Sequence, residues 1–279
     1  MNAIMRHYAV FGNPVAHSLS PLMHNAAFGA LGIRASYESH RVDNLELSVR
    51  MIRERPLAGV SVTLPVKGAI MDFLDDLDED ARAIGAVNTV VNEGGRLTGM
   101  NTDHRGLTAA MKEHFPLEGK TVAVLGAGGV ARAAVHGVQR EGGIPVILSR
   151  NRDRGKSLAR WFRCESMPIS ALGTLEAEVL IHATPVGMSP AVDETIVDRR
   201  RLSRFRWVVE TIYTPLETRL LREARQAGCG VVTGLSMFVR QGAEQLRIWT
   251  GLEPPLELMT RVVRTALEAR QAASQKQQE

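Results

Sequence analysis

Lys120-Thr-Val-Ala-Val-Leu-Gly-Ala-Gly-Gly-Val-Ala-Arg132 decides the fold. Its apolar first half has the length and composition of a buried strand, and the small-residue run after Val130 has those of a helix packed closely on that strand. Between them, Gly126 permits a tight turn and Gly128 lets the backbone approach a pyrophosphate. Ala131 is the small residue that allows the helix to lie against the strand. Phosphates would sit at the positive end of the helix. An ordinary strand-to-helix turn also uses glycine, so the residues downstream have to discriminate.

The next strand, Pro145 to Leu148, runs into Ser149-Arg150-Asn151-Arg152-Asp153-Arg154. A site for NAD puts a carboxylate on the ribose hydroxyls about here. Here the position is basic: Arg150 and Arg154 attract a 2'-phosphate, and Ser149 and Asn151 offer hydrogen bonds to it, which favours NADP. Asp153, further along, is a contrary signal, and a solvated basic helix start is the plain alternative. The arginines at 199 to 201, 204 and 206 read as a solvated helical face.

Outward from this motif, strands and helices alternate, as in α/β proteins with parallel sheets. Tyr8 to Phe11 reads as a strand ending at the turn Gly12-Asn13-Pro14. Ser20 reads as the cap of a helix with Pro21 at its first position, running to Leu31 and stopping at Gly32. Strands follow at Ser36 to Val42 and Gly59 to Thr63, with a helix at Leu45 to Arg53 between them. Pro65 reads as the opening of another helix with Lys67 in its first turn. A helix at Glu79 to Ile84 precedes a hairpin of Ala86 to Val91 and Leu97 to Met100 around Asn92-Glu-Gly-Gly95. The polar tail Gln271 to Glu279 reads as a fraying end.

At 279 residues with 44% apolar content, the chain is long enough for two domains with sizeable cores. Its net charge of +4 is spread along the chain with few aromatics between the basic residues, which argues for small anionic ligands and against nucleic acid. Two cysteines, Cys164 and Cys229, are too few for a disulfide framework and suit a reducing cytoplasm. The first residues lack the apolar core of a secretion signal, and no run is long enough to span a membrane. The eight histidines show no metal-ligand spacing, so no metal requirement is expected.

Further blocks narrow the reading: Gly12-Asn-Pro14 with His17-Ser-Leu-Ser20-Pro21 and His24-Asn25; Val62-Thr63-Leu-Pro65-Val-Lys67; Gly85-Ala-Val-Asn88-Thr89; and Asn101-Thr-Asp103. After the glycine turn come Ala183-Thr184-Pro185-Val-Gly187-Met188, Tyr213-Thr-Pro215, and Gly234-Leu-Ser-Met237 with Gln241. In order and spacing, over nearly the whole chain, these resemble the shikimate dehydrogenase family. The resemblance implies an N-terminal α/β substrate domain (1–103 with 238–279), a Rossmann-like NADP-binding domain (104–237) and an active site in the cleft between them. It implies reversible, NADPH-dependent reduction of 3-dehydroshikimate to shikimate in aromatic amino-acid biosynthesis; monomer and homodimer both stay open.

By the same resemblance, Lys67 and Asp103 are the catalytic pair beside the reacting oxygen. Ser18, Ser20 and Tyr213 meet the substrate carboxylate, and Thr63, Asn88, Asp103 and Gln241 meet its ring hydroxyls. Hydroxyls and free amides at a helix start suit an anion, and mixed donors and acceptors suit a polyol. Ser20 as a simple cap, Asn88 as a turn residue and Gln241 as an exposed helix residue stay open at this level. The nucleotide contacts implied are Gly126, Ala127, Gly128, Gly129, Val130, Ala131, Ser149, Arg150, Asn151, Arg154, Thr184, Pro185, Gly187, Met188, Ile212, Gly234 and Met237.

The chain departs from the family's pattern at Ser61, Met100, His104, Glu210 and Ser236. His104 reads as a half-exposed polar residue. A quinate-oxidising relative and a catalytically silent NADP-binding regulator are the competing readings. Retention of Lys67 and Asp103 argues against silence, and two serines with no evident enlargement favour shikimate over quinate.

Overall fold

The computed structural model describes residues 5–55 and 57–276, the side chains of 274–276 excepted. It divides into two compact units: 1–102 with 239–266, and 103–238 with 267 onward.

The first unit opens with β1 (Arg6–Gly12), α1 (Ser20–Ala30), β2 (Ala35–Arg41), α2 (Leu45–Glu54) and β3 (Leu57–Val62). It continues with β4 (Asp76–Leu77), α3 (Glu79–Ile84), β5 (Thr89–Glu93) and β6 (Arg96–Met100). The strand order is β2-β1-β3-β5-β6-β4. β1 pairs in parallel with β2 and β3, whereas β3, β5 and β6 run antiparallel in turn, so this sheet is mixed. The expected hairpin is the reason. Gly94 and Gly95 both have positive φ and form a two-residue turn whose twist suits antiparallel strands.

Local chemistry sets the helix ends. Asn44 caps α2 by accepting from the Leu47 amide at 3.0 Å, and Asp78 caps α3 by accepting from Ala81 at 2.6 Å. Gly85 closes α3 in the left-handed conformation. Two expectations need correction here. Ser20 is not the cap of α1 but its first residue; Ser18 Oγ accepts the Ser20 amide at 3.2 Å instead. Pro65 does not open an α-helix. The Val66 amide bonds back to the Thr63 carbonyl around Leu64-Pro65, so Lys67 lies in a turn before a short 3-10 helix, Ala69–Phe73.

The second unit runs α4 (Asp103–Lys112), β7 (Thr121–Leu125), α5 (Gly129–Arg140), β8 (Ile144–Ser149), α6 (Arg152–Phe162), β9 (Glu165–Pro168), β10 (Val179–His182), β11 (Trp207–Glu210), α7 (Arg219–Gln226) and β12 (Gly230–Val232). Its sheet is wholly parallel, in the order β12-β11-β10-β7-β8-β9. From the β9 edge this is the doubly wound order 3-2-1-4-5-6, whose direction of winding reverses between β7 and β10. Val122 to Leu125 are fully buried, as strands covered on both faces must be. Burying each of the valine and leucine side chains among them contributes about 1.5–3 kcal/mol. One core layer joins Leu107, Met111, Val124, Val135 and Ile147; the other joins Leu125, Leu148, Leu180 and Val208.

Two long helices complete the chain, α8 (Gly234–Thr250) and α9 (Leu256–Lys276). In the first unit α8 drives Trp249 against β3, where Gly59 leaves room: a Cβ there would lie 2.2 Å from the indole nitrogen. Trp249 Nε1 donates to the Val90 carbonyl at 3.1 Å. Residues 271–276, expected to fray, continue α9; 277–279 lie outside the described residues. Among the described residues no helix is long and apolar enough to cross a membrane.

Candidate functional site

The expected site residues fall in both units. In the first unit, β1 and β3 end side by side because Gly12 has no side chain: a Cβ there would meet Thr63 Cγ2 at 2.3 Å. The Thr63 amide donates to the Phe11 carbonyl at 2.8 Å. Lys67 is only 9% exposed, and its carbonyl accepts from the Val87 amide at 2.8 Å, which ties the lysine turn to the segment leading into Asn88.

Asn88 is the hub of this unit. Its Oδ1 accepts from the Thr102 amide at 2.7 Å and the Thr89 hydroxyl at 2.8 Å. Its Nδ2 donates to Thr102 Oγ1 at 2.9 Å and to Gln241 Oε1 at 3.2 Å. The Thr102 hydroxyl donates to the Gln241 carbonyl at 3.0 Å. Asn88 and Gln241 therefore meet, 153 residues apart, and Gln241 is half-buried. The amide orientations are locked by these partners, as recognition of a polyol requires.

Sequence reasoning missed a second line of polar groups. The Tyr37 hydroxyl donates to Ser61 Oγ at 2.6 Å, and Ser61 donates to Gln245 Oε1 at 2.8 Å. Gln245 Nε2 then donates to the Asn88 carbonyl at 3.0 Å and to Thr89 Oγ1 at 3.1 Å. Burial pushes the Tyr37 phenol up, with hydrogen bonding to Ser61 and Ser20 opposing. Ser61, noted in the sequence only as a departure, is thus a buried link between Tyr37 and the Asn88 hub. Nothing local marks Gln245 as its partner, 184 residues away. His24 stacks on Tyr37 with ring centroids 4.5 Å apart, and burial pushes its imidazole down to about 3.

In the second unit the glycine turn has the geometry of a phosphate cradle. Gly126 has φ +124°, and a Cβ on it would stand 2.5 Å from the Ala183 carbonyl oxygen. Gly128 precedes α5 with no side-chain cap, and a Cβ on it would meet nothing within 4 Å. The first amides of α5, from Gly129 on, have no carbonyl a turn behind them within the helix, so they suit an anion. Ala127, Gly129 and Val130 are half-buried and Ala131 is buried. A pyrophosphate fits this arrangement.

At the end of β8, Ser149 is buried, whereas Arg150, Asn151 and Arg154 are exposed. Asn151 caps α6, its Oδ1 accepting from the Arg154 amide at 3.0 Å, so part of its hydrogen-bonding capacity is already used. Thr184 and Pro185 follow β10, and Gly187 turns the chain with φ +86° before the exposed Met188. Gly234 is sterically obligatory: a Cβ would lie 2.0 Å from the Ile212 carbonyl oxygen. Met237 is buried in the core layer of Leu107 and Val124. Tyr213 stacks on Phe238 at 4.1 Å, and burial pushes its phenol up to about 12.

Asp103 is the buried first residue of α4 and belongs to the second unit, whereas Lys67 belongs to the first. His104, expected to be half exposed, is only 4% exposed because the next helix covers it; its ring centroid is 5.1 Å from that of His136 in α5.

Residues 10–90 match the model of the shikimate dehydrogenase substrate binding domain, and residues 234–264 that of the shikimate 5'-dehydrogenase C-terminal domain. Residues 121–211 match a model described as NADP oxidoreductase, coenzyme F420-dependent. A shikimate dehydrogenase (NADP(+)) of Pyrococcus abyssi is 42% identical over 260 residues, covering 92% of this chain and 97% of its own. The Thermus thermophilus shikimate 5-dehydrogenase, solved with NADP(H) and shikimate, superimposes with a TM-score of 0.87 at 39% identity, covering 94% of this chain and all of that one. A quinate dehydrogenase of Corynebacterium glutamicum, solved with NAD, has the same TM-score at 28% identity, covering 94% and 99%.

Proposed function

The chain belongs to the shikimate dehydrogenase family, and on that premise we propose that it is an NADP-dependent oxidoreductase interconverting 3-dehydroshikimate and shikimate. The observation that carries this reading is the bond between Asn88 and Gln241. It joins the two segments matched by the family's substrate-binding and C-terminal models in one locked polar surface.

Bound NADPH supplies a hydride to C3 of the ketone. The C3 oxygen gains negative charge as the hydride arrives, and Lys67 is the proposed donor of its proton, directly or through a water. Asp103 is the proposed carboxylate that orients the ammonium and a ring hydroxyl. Asn88, Gln241 and Thr63 supply the remaining hydroxyl contacts. Ser18 and Ser20, at the start of α1, bring their hydroxyls to the positive end of the helix to hold the substrate carboxylate, with Tyr213 adding a phenol. The units 1–102 with 239–266, and 103–238 with 267 onward, are read as the substrate and nucleotide domains. The setting proposed is a cytoplasmic monomer or homodimer working in aromatic amino-acid biosynthesis.

The test is reduction of NADP and of NAD by one preparation, with shikimate and with quinate. Turnover of shikimate with NADP, exceeding the other three combinations, is expected. Faster turnover of quinate would move the chain to the competing specificity, and no turnover at all would make it a nucleotide-binding regulator.

A further inference from the structure

Glu210, the last residue of β11, has 0% exposure and is surrounded by donors. Its Oε1 accepts from the amides of Thr211 at 2.8 Å and Ile212 at 3.0 Å, and its Oε2 from the Thr218 hydroxyl at 2.9 Å. His182, the last residue of the neighbouring β10, brings Nδ1 to 3.0 and 3.1 Å from the two oxygens. Its other nitrogen, Nε2, meets the Thr184 hydroxyl at 2.6 Å.

The proton positions follow from the partners. A carboxylate can only accept, so Nδ1 carries the hydrogen, and in the neutral ring Nε2 is then an acceptor. With the ring neutral, the Thr184 hydrogen is committed to that nitrogen. Thr184 Oγ1 also lies 3.3 Å from the Val186 amide, which donates to it. One lone pair of the hydroxyl is left, so the group can offer a ligand only an acceptor.

The position gives this polarity a use. In a 3-2-1-4-5-6 sheet, ligands lie beyond the carboxyl ends of the strands near the reversal, here β7 and β10. The half beginning with β7 takes the adenosine side, which leaves the loop after β10 for the nicotinamide side. Burying a carboxylate is costly unless its acceptor sites are filled, and four donors fill those of Glu210 while fixing the chain leaving β11.

The geometry points to a Glu210–His182–Thr184 relay that holds the Thr184 hydroxyl as a one-way acceptor for a donor on the nicotinamide half of the nucleotide, a ribose hydroxyl or the carboxamide NH2. His182 and Glu210 are positioning residues in it. The inference rests on the proposed use of NADP and adds which ligand atoms the loop reads and what orients it.

Thr184→Val keeps the shape and removes the hydroxyl. In the full chain it is expected to raise the NADP Kd about tenfold and, because it leaves His182 Nε2 and the Val186 amide without this partner, to lower the thermal midpoint, with Thr184→Ser restoring both. His182→Asn keeps an amide donor toward Glu210 and deletes the atom that meets Thr184. It is expected to weaken NADP binding in the same way, and the double variant should be no weaker than Thr184→Val alone. An unchanged Kd in Thr184→Val, failure of Thr184→Ser to restore it, or additive losses in the double variant would overturn the relay. If His182→Asn does not fold, the valine and serine variants still decide. Nucleotide titration is independent of turnover, so wild type that binds NADP but leaves shikimate unreacted would refute the assigned reaction and leave the relay testable.

Discussion

Lys67 shows how little a residue's type says without its surroundings. A lysine is ordinarily a solvated charge, yet this one is nearly buried in a turn fastened to the Asn88 segment through the Val87 amide. Lys67→Ala is expected to lower kcat by about 10²–10⁴-fold, the range for losing a general acid, with NADP affinity and thermal midpoint near wild type. Steady-state rates beside a nucleotide titration check this, and near-normal turnover would remove the lysine from the mechanism. His24 yields a prediction of a different kind. Its ring normally titrates near 6.5 and burial lowers it to about 3, so the folded state binds fewer protons than the unfolded chain between those values. Its contribution to stability is complete above pH 6.5 and erodes as pH falls toward 3, with a slope approaching ~1.4 kcal/mol per pH unit. In denaturant titrations across that window His24→Phe should show a shallower loss of stability than wild type.

At the scale of elements, the glycine turn between β7 and α5 separates folding from binding within three residues. Gly126→Ala forces a side chain into a left-handed backbone and toward the Ala183 carbonyl, and should cost more than ~1 kcal/mol of stability. Gly128→Ala meets no protein atom, so it should melt like wild type. Its methyl would occupy the space into which a pyrophosphate must come, and an NADP Kd raised by about tenfold or more is expected. Thermal melts and nucleotide titrations on the two variants should give opposite patterns. Most elements were readable from such local chemistry, among them the β5 to β6 hairpin from its paired glycines, whereas the caps Asn44 and Asp78 that begin α2 and α3 came only with the structure. The turn at Pro65 was misread because proline suits both a helix start and a tight turn, and the choice is made by the Thr63 to Val66 bond.

At the scale of the whole molecule, the parallel sheet and its basic β8 exit together favour NADP. The double variant Arg150→Ala, Arg154→Ala is expected to lower the preference for NADP over NAD on the order of tenfold, by weakening NADP and sparing NAD, since only the former carries the extra phosphate. Kd values for both nucleotides on one preparation check it. An equal loss for both would move the arginines off the 2'-phosphate.

The sequence by itself determined the alternation of strands and helices, the glycine turn, the basic end of β8 and the family, because each is written in short-range patterns of residue size, charge and turn chemistry. Only the tertiary structure decided that Asn88 meets Gln241, that Ser61 links Tyr37 to Gln245, and that Glu210 is saturated by donors around His182. It also buried His104, which polarity alone had put half in solvent. A buried polar group is defined by its partners, and these lie on strands and helices far apart in the chain. Local pattern reports a residue's own preferences, while packing chooses which distant group satisfies them.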